Sequence, residues 1–168
     1  VTEALNAGTD TVQSAISYTL GANVENLALT GVSDLTANGN TLANFITGNS
    51  GNNLIDGGVG ADTVNAAGGN DTVVYDASDV MMDGGSGADL LDVTGLAQLV
   101  NLAMAANLAG FEKIDLNNGG HTLNVSHAAI VALSDTDVLT VDGGAADTVT
   151  AQGAWHYEGN VGSYARYT

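Results

Sequence analysis

Large apolar residues recur at every ninth position through the middle of the chain: Ile46, Ile55, Val64, Val73, Met82 and Leu91. Short polar runs rich in Gly, Asn and Asp fill the intervals. A fixed period of this kind marks a repeated supersecondary unit. Each nonapeptide predicts a six-residue turn followed by a three-residue strand whose middle side chain points inward. Two nonapeptides make one coil, with turns on alternating sides, and stacked coils bury the inward residues as a thin core. Each such residue contributes roughly 1.5–3 kcal/mol when fully buried. The expected fold class is therefore all-β, a parallel β-roll (β-solenoid).

The polar positions repeat too, though less strictly than the apolar ones. Gly57-Gly58-Val59-Gly60-Ala61-Asp62-Thr63-Val64-Asn65 and Gly84-Gly85-Ser86-Gly87-Ala88-Asp89-Leu90-Leu91-Asp92 both satisfy G-G-x-G-x-D-x-U-x, U being a large apolar residue. Ala66-Ala67-Gly68-Gly69-Asn70-Asp71-Thr72-Val73-Val74 keeps the later Gly, the Asp and the apolar residue. Gly48-Asn49-Ser50-Gly51-Asn52-Asn53-Leu54-Ile55-Asp56 puts Asn in place of Asp, and Gly39 to Thr47 is a weaker copy with Asn44 and Ile46. Met82 holds the register although the turn before it, Tyr75 to Val80, has lost its glycines.

The flanks read differently. Thr11–Gln13, Ser17–Leu20 and Val24–Leu29 are short alternating strands. Leu96 to Ala109 fits a helix ended at Gly110 or a strand through Val100, Leu102 and Met104. Phe111–Leu116 echoes Val24–Leu29. Ser126 is placed to cap a short helix through Leu133, and Val138–Val141 and Thr148–Thr150 read as strands. Trp155 to Tyr167 holds the only Trp and three of the five Tyr, which suits a hydrophobic cap over an open end. The expected organisation is flanking strands over 1–38, a roll over 39–95 and a β-rich capping module over 96–168.

Charge narrows the function. Against 19 acidic residues stand only two basic ones, a net charge of −17 in 168 residues. Such a chain cannot neutralise phosphates, which excludes nucleic acid as a partner and makes anionic membrane surfaces poor ones. No apolar run is long enough to span a bilayer. An apolar fraction of 45% is too high for an acidic disordered tail. With no cysteine, thiolate metal sites and disulfides are unavailable, and a bound metal is the remaining staple. The chain opens at Val1 with neither Met nor a charged-plus-apolar leader, and so reads as a piece of something larger.

Short carboxylates in tight glycine turns suit a hard, oxygen-seeking cation. Turns on one side of the roll come from alternate nonapeptides, which sets Asp71 against Asp89, Asn53 against Asp71, and Asn44 against Asp62. Stacked carboxylates repel one another unless a cation lies between them. Each glycine also costs backbone entropy on folding, so the turns must supply stabilisation that the slender core cannot.

These repeats resemble the RTX (repeats-in-toxin, haemolysin-type) calcium-binding family, over about Gly39 to Asp92. The resemblance implies parallel β-rolls with Ca²⁺ between turns, held by the sixth-position aspartate and by the carbonyls of positions two and four. Those positions are Gly58, Gly60 and Asp62; Ala67, Gly69 and Asp71; and Gly85, Gly87 and Asp89. Asn49, Gly51 and Asn53, with Asn44, form a weaker set because a neutral ligand lowers affinity. Ser17–Leu27, Phe111–Leu116 and the aromatic tail look like the surroundings of such repeats in large bacterial RTX adhesins. The resemblance thus implies a secreted or cell-surface adhesin module, exported by a type I system and folding on extracellular Ca²⁺. The alternative is an accessory roll on a secreted protease, lipase or polysaccharide-modifying enzyme. Cell-surface glycan or other modules of the same chain are the further partners it suggests.

Other polar residues have plainer readings. Asp56, Asp83 and Asp92 read as edge charges that blunt strand pairing, and Asp76 and Asp79 as surface charges in a turn that supplies no ligand. His121, His127 and His156 form no zinc signature. Ser126 with His127 lacks a nucleophile elbow, and Glu25 with Glu112 reflects structural repetition rather than a glycosidase pair. Nothing points to an enzyme. Lys113 and Arg166 are expected to pair with nearby acids. Trp155, Tyr157, Tyr164 and Tyr167 fit a cap better than a sugar platform. Gly143–Val149 resembles a turn one residue short, with Asp147 as a marginal ligand.

Overall fold

The computed structural model describes residues 1, 3–5, 7–93, 99–102, 107–117, 120–126, 133–134, 139–143, 146–152, 157–161 and 164–167. The chain starts with β1 (Thr11–Ser14), β2 (Tyr18–Thr19), β3 (Asn26–Leu29) and β4 (Thr36–Asn38). Each nonapeptide then contributes one strand: β5 (Phe45–Thr47), β6 (Leu54–Asp56), β7 (Thr63–Asn65), β8 (Thr72–Val74), β9 (Met81–Asp83) and β10 (Leu90–Asp92). In every one of the six the middle residue is buried and its neighbours are not. This is the expected turn-plus-strand unit, with side chains alternating between core and solvent.

Successive strands go to opposite sheets. One sheet has the order β1-β3-β5-β7-β9-β12, with β12 at Leu108–Ala109. The other runs β2-β4-β6-β8-β10 and continues through β13 (Lys113–Asn117) and β15 (Leu139–Gly143). Pairing within both stacks is parallel. The inward residues form two continuous rows. Val12, Leu27, Ile46, Val64, Met82 and Leu108 stand opposite one another in the first sheet. Ala37, Ile55, Val73, Leu91, Ile114 and Val141 do so in the second. All are buried. The fold is an all-β parallel β-roll.

Past β10 the coil widens to take in a third parallel sheet, β11 (Leu99–Asn101), β14 (Thr122–Ser126) and β16 (Thr148–Gln152). The described part of Leu96–Ala109 is therefore strand at both β11 and β12. Leu108 is held there by pairing with Met82. Ser126 ends β14; of its expected helix Leu133 is buried, and residues 127–132 with His127 lie outside the described residues. At the far end β17 (Tyr157–Val161) and β18 (Tyr164–Tyr167) form an antiparallel hairpin laid on β15. That hairpin covers the edge of the second sheet. Trp155 and His156 of the expected aromatic cap lie outside the described residues.

Asp56, Asp83 and Asp92 do not stand on sheet edges as expected. Asp56 and Asp83 do not blunt edges, since β6 lies between β4 and β8, and β9 between β7 and β12. Their Oδ1 atoms accept the N–H of Gly58 and Gly85, each at 2.9 Å, and so close the start of the next turn. The strand carrying Asp92 is likewise interior, between β8 and β13.

Candidate metal centre in the stacked turns

The aspartates of the turns are buried. Asp62, Asp71 and Asp89 are 0%, 1% and 0% exposed, and Asn44, Asn49 and Asn53 are buried as well. The three aspartates are drawn inside because each carries out one repeated contact. A sixth-position oxygen reaches back one coil and accepts the N–H of its counterpart there. Asp62 Oδ1 accepts Asn44 N–H at 2.7 Å, Asp71 Oδ1 accepts Asn53 N–H at 2.6 Å, and Asp89 Oδ1 accepts Asp71 N–H at 2.7 Å. These are the three pairings that the eighteen-residue offset anticipates. Hydrogen bonds to an ionised acceptor are about twice as strong as neutral ones.

The same contact recurs where the repeat is not visible in sequence. Glu112 Oε2 accepts Asp89 N–H at 2.9 Å, and Glu25 Oε2 accepts Asp10 N–H at 3.0 Å. Asp147 Oδ1 accepts His121 N–H at 2.6 Å and lies 3.6 Å from His121 Nδ1. Both glutamates stand just before a strand, so the repetition read from Val24–Leu29 and Phe111–Leu116 has a physical basis. Asp79 corrects the sequence reading: it is buried, not a surface charge, and its Oδ1 accepts Asp62 N–H at 3.1 Å. Its signal was obscured because it sits one place short of the sixth position.

One carboxylate oxygen is used in this way; the second is what calls for a cation. Asp62 Oδ2 and Asp71 Oδ2 are buried without a hydrogen-bond partner. Asp62 Oδ2 folds back into its own turn, where a Cβ on Gly57 would lie 2.6 Å from it. A buried charged acceptor left unsatisfied costs about 1–3 kcal/mol or more. Loss of hydration pushes the Asp71 carboxyl up to about 7 from the usual 3.8, and the Asp89 charge adds to the shift while the Asn53 N–H opposes it. The same loss of hydration raises Asp62 and takes Asp79 to about 7.

Backbone carbonyls supply the remaining oxygens. Residues at position two sit in the left-handed region, with φ of 86° at Gly58, 76° at Ala67 and 87° at Gly85. At position four there is no room for a side chain: a Cβ on Gly60, Gly69 or Gly87 would strike the carbonyl oxygen of Leu42, Gly51 or Gly69 below it. Carbonyls are thus stacked against the next turn. Among the described residues no three His, Cys, Asp or Glu side chains gather at one point. A cation here would take most of its ligands from the backbone, which suits Ca²⁺ with its six to eight oxygens. The chemistry of the donor set, carboxylates at Asp62, Asp71 and Asp89 with backbone carbonyls in the same turns, fits the ion, although the Ala67 carbonyl accepts Ser86 N–H at 3.0 Å and the Gly60 carbonyl lies 2.7 Å from the Ser78 hydroxyl. Among the described residues no helix is long and apolar enough to cross a membrane.

Comparison with known proteins agrees with this geometry over the centre of the chain. Residues 38–73 match the model of the RTX calcium-binding nonapeptide repeat, in four copies. No curated protein and no solved structure matches the chain.

Proposed function

Taking as premise that residues 38–73 are RTX calcium-binding nonapeptides, repeats that bind Ca²⁺, we propose that the chain is a calcium-dependent structural module of the adhesin type. It belongs to a bacterial protein that is secreted or displayed at the cell surface after type I export. It has no catalytic role. The observation that carries this reading is the set of buried turn carboxylates, Asp62 and Asp71, each with an oxygen that no protein donor reaches.

The turns are unfavourable while calcium is scarce, because desolvated carboxylates stack on one another and on carbonyls. Where Ca²⁺ is abundant, the ion neutralises them and its binding energy becomes folding energy. A chain that stays loose inside the cell and sets outside suits export in an unfolded state. The adhesin assignment rests on the flanks: strands carrying Val24–Leu29 and Phe111–Leu116 continue the roll on both sides of the nonapeptides.

Circular dichroism during a calcium titration tests the proposal. The wild-type chain should gain β-signal as Ca²⁺ is added. The Asp71→Ala/Asp89→Ala variant should need roughly tenfold more calcium or fail to respond, since ligand charge sets affinity in such sites. A wild-type chain whose β-signal in excess EGTA already equals that in calcium would rule the proposal out.

A further inference from the structure

The asparagine turns differ from the aspartate turns in one respect: their side chains donate. In the turn Gly39–Asn44, Asn40 Nδ2 donates to the carbonyls of Gly21 and Val24 in the coil below, at 2.8 and 2.7 Å. Asn44 Nδ2 donates to Val24 and Glu25 carbonyls, both at 3.2 Å. In the turn Gly48–Asn53, Asn49 Nδ2 donates to the carbonyls of Thr30 and Ser33, at 3.2 and 3.1 Å. The amide oxygens are engaged too. Asn44 Oδ1 accepts Asn40 N–H, and Asn53 Oδ1 accepts Asn49 N–H. Asn49 Oδ1 accepts from Gly51 N–H and from Asn53 Nδ2.

A carboxamide NH₂ carries two donors at one point. Placed beneath the turn, it joins two inter-coil carbonyls, whereas the side chains of Asp62, Asp71 and Asp89 only accept. The donors that cross there are backbone N–H groups, such as Ser86 N–H to the Ala67 carbonyl at 3.0 Å. Among the described residues, no side chain donates to the carbonyls of Leu42, Gly51 or Gly69, which lie below Asp62, Asp71 and Asp89. The gap above Gly60 repeats the amide device in another form, for the Ser78 hydroxyl lies 2.7 Å from the Gly60 carbonyl oxygen.

We propose that the amides of Asn40, Asn44 and Asn49 replace calcium in the first two nonapeptide turns, making β3–β6 a metal-independent base on which the calcium-loaded coils of β7–β10 assemble. Calcium then enters only the gaps beneath Asp62, Asp71 and Asp89. The asparagine turns contribute carbonyls upward, from Leu42 and Gly51, and amides downward. This rests on the calcium reading above and goes beyond it by assigning which gaps hold an ion and where order begins.

Amide hydrogen exchange by mass spectrometry, together with calorimetric calcium counting on the full chain, tests the inference. In EGTA, β3–β6 should stay protected while β7–β10 exchange rapidly, and calcium should protect the latter. Asn40→Ala/Asn49→Ala should abolish the EGTA-resistant protection without changing the number of ions bound at saturation. Asn49→Gly/Asn53→Asp restores the glycine and the carboxylate, and should bind one more ion than wild type while losing EGTA-resistant protection at β6. Uniform exchange of β3–β10 in EGTA with calcium binding intact overturns this inference alone. Fewer ions bound by Asn40→Ala/Asn49→Ala, or no extra ion in Asn49→Gly/Asn53→Asp, also overturns it. No calcium response in wild type removes the calcium reading and this inference together.

Discussion

The nonapeptide segment and the C-terminal stack are built alike and look unlike in sequence. In both, strands pair in parallel, an inward apolar row runs through the stack, and an acidic residue before a strand accepts an N–H from the coil below. Asp71 on Asn53 and Asp147 on His121 make the same contact at the same length, 2.6 Å. The coils themselves differ. Ile55 faces Val73 and Val73 faces Leu91 at a constant offset, whereas Leu91 faces Ile114 and Ile114 faces Val141 at longer, unequal ones. Core and ladder therefore do not depend on the calcium motif. The motif marks turns so tight and glycine-rich that one carboxylate oxygen of Asp62 and one of Asp71 are buried without a donor.

Truncating one inward residue in each region puts that distinction to its hardest test. Leu91 and Leu123 are both fully buried, so replacing either with Ala should cost about 2–5 kcal/mol in thermal or denaturant unfolding. Leu91→Ala should also weaken calcium binding, because the site and its coil form together. Leu123→Ala should leave calcium affinity unchanged. Equal loss of calcium affinity in the two variants would erase the difference between the regions.

Acid separates them next. Asp71 and Asp79 have carboxyls raised to about 7 in the folded chain against the usual 3.8, so the folded state binds more protons across that window. Their contribution to stability is then largest below the unfolded value and falls as pH rises through about 7. In EGTA, the exchange protection of β7–β10 should rise as pH is lowered from 8 to about 5. In saturating calcium the carboxylates are ionised ligands, and that rise should flatten or reverse. A calcium-free roll that loses stability on mild acidification would contradict the buried, desolvated carboxylates.

The smallest effect is at Ala67, the one non-glycine residue among the left-handed second positions, with φ of 76°. Its Cβ crowds the backbone there, at a cost of roughly 1–2 kcal/mol. Ala67→Gly should raise the unfolding free energy by up to about 1 kcal/mol, since the gain in the folded state is partly offset by a freer unfolded chain. A fall in stability would mean that Ala67 is not strained.

Sequence made the centre of this molecule legible because one spacing serves three purposes there. The apolar row, the strand register and the turn pairing all follow from nine residues taken twice. Asp79 escaped it by standing one place early, behind a turn with no glycines. Glu25 and Glu112 escaped as ladder acceptors because a longer side chain reaches the same N–H from a segment with no motif. The third sheet was hidden for a related reason. Coils of unequal length leave no period to find, and Leu99–Asn101 is too short to separate strand from helix by apolar spacing alone.

Alternation of strands between two sheets also sets a rule for how such a molecule can change length. Adding two nonapeptides after Asp56 would return the chain to the same sheet, with the inward row and the Asn53-to-Asp71 type of contact unbroken. Adding one would send every later strand to the opposite sheet and bring Glu112 to the wrong side of the stack. The roll can therefore grow or shrink only by whole coils. Gain or loss of paired repeats is the change that leaves both flanks in place.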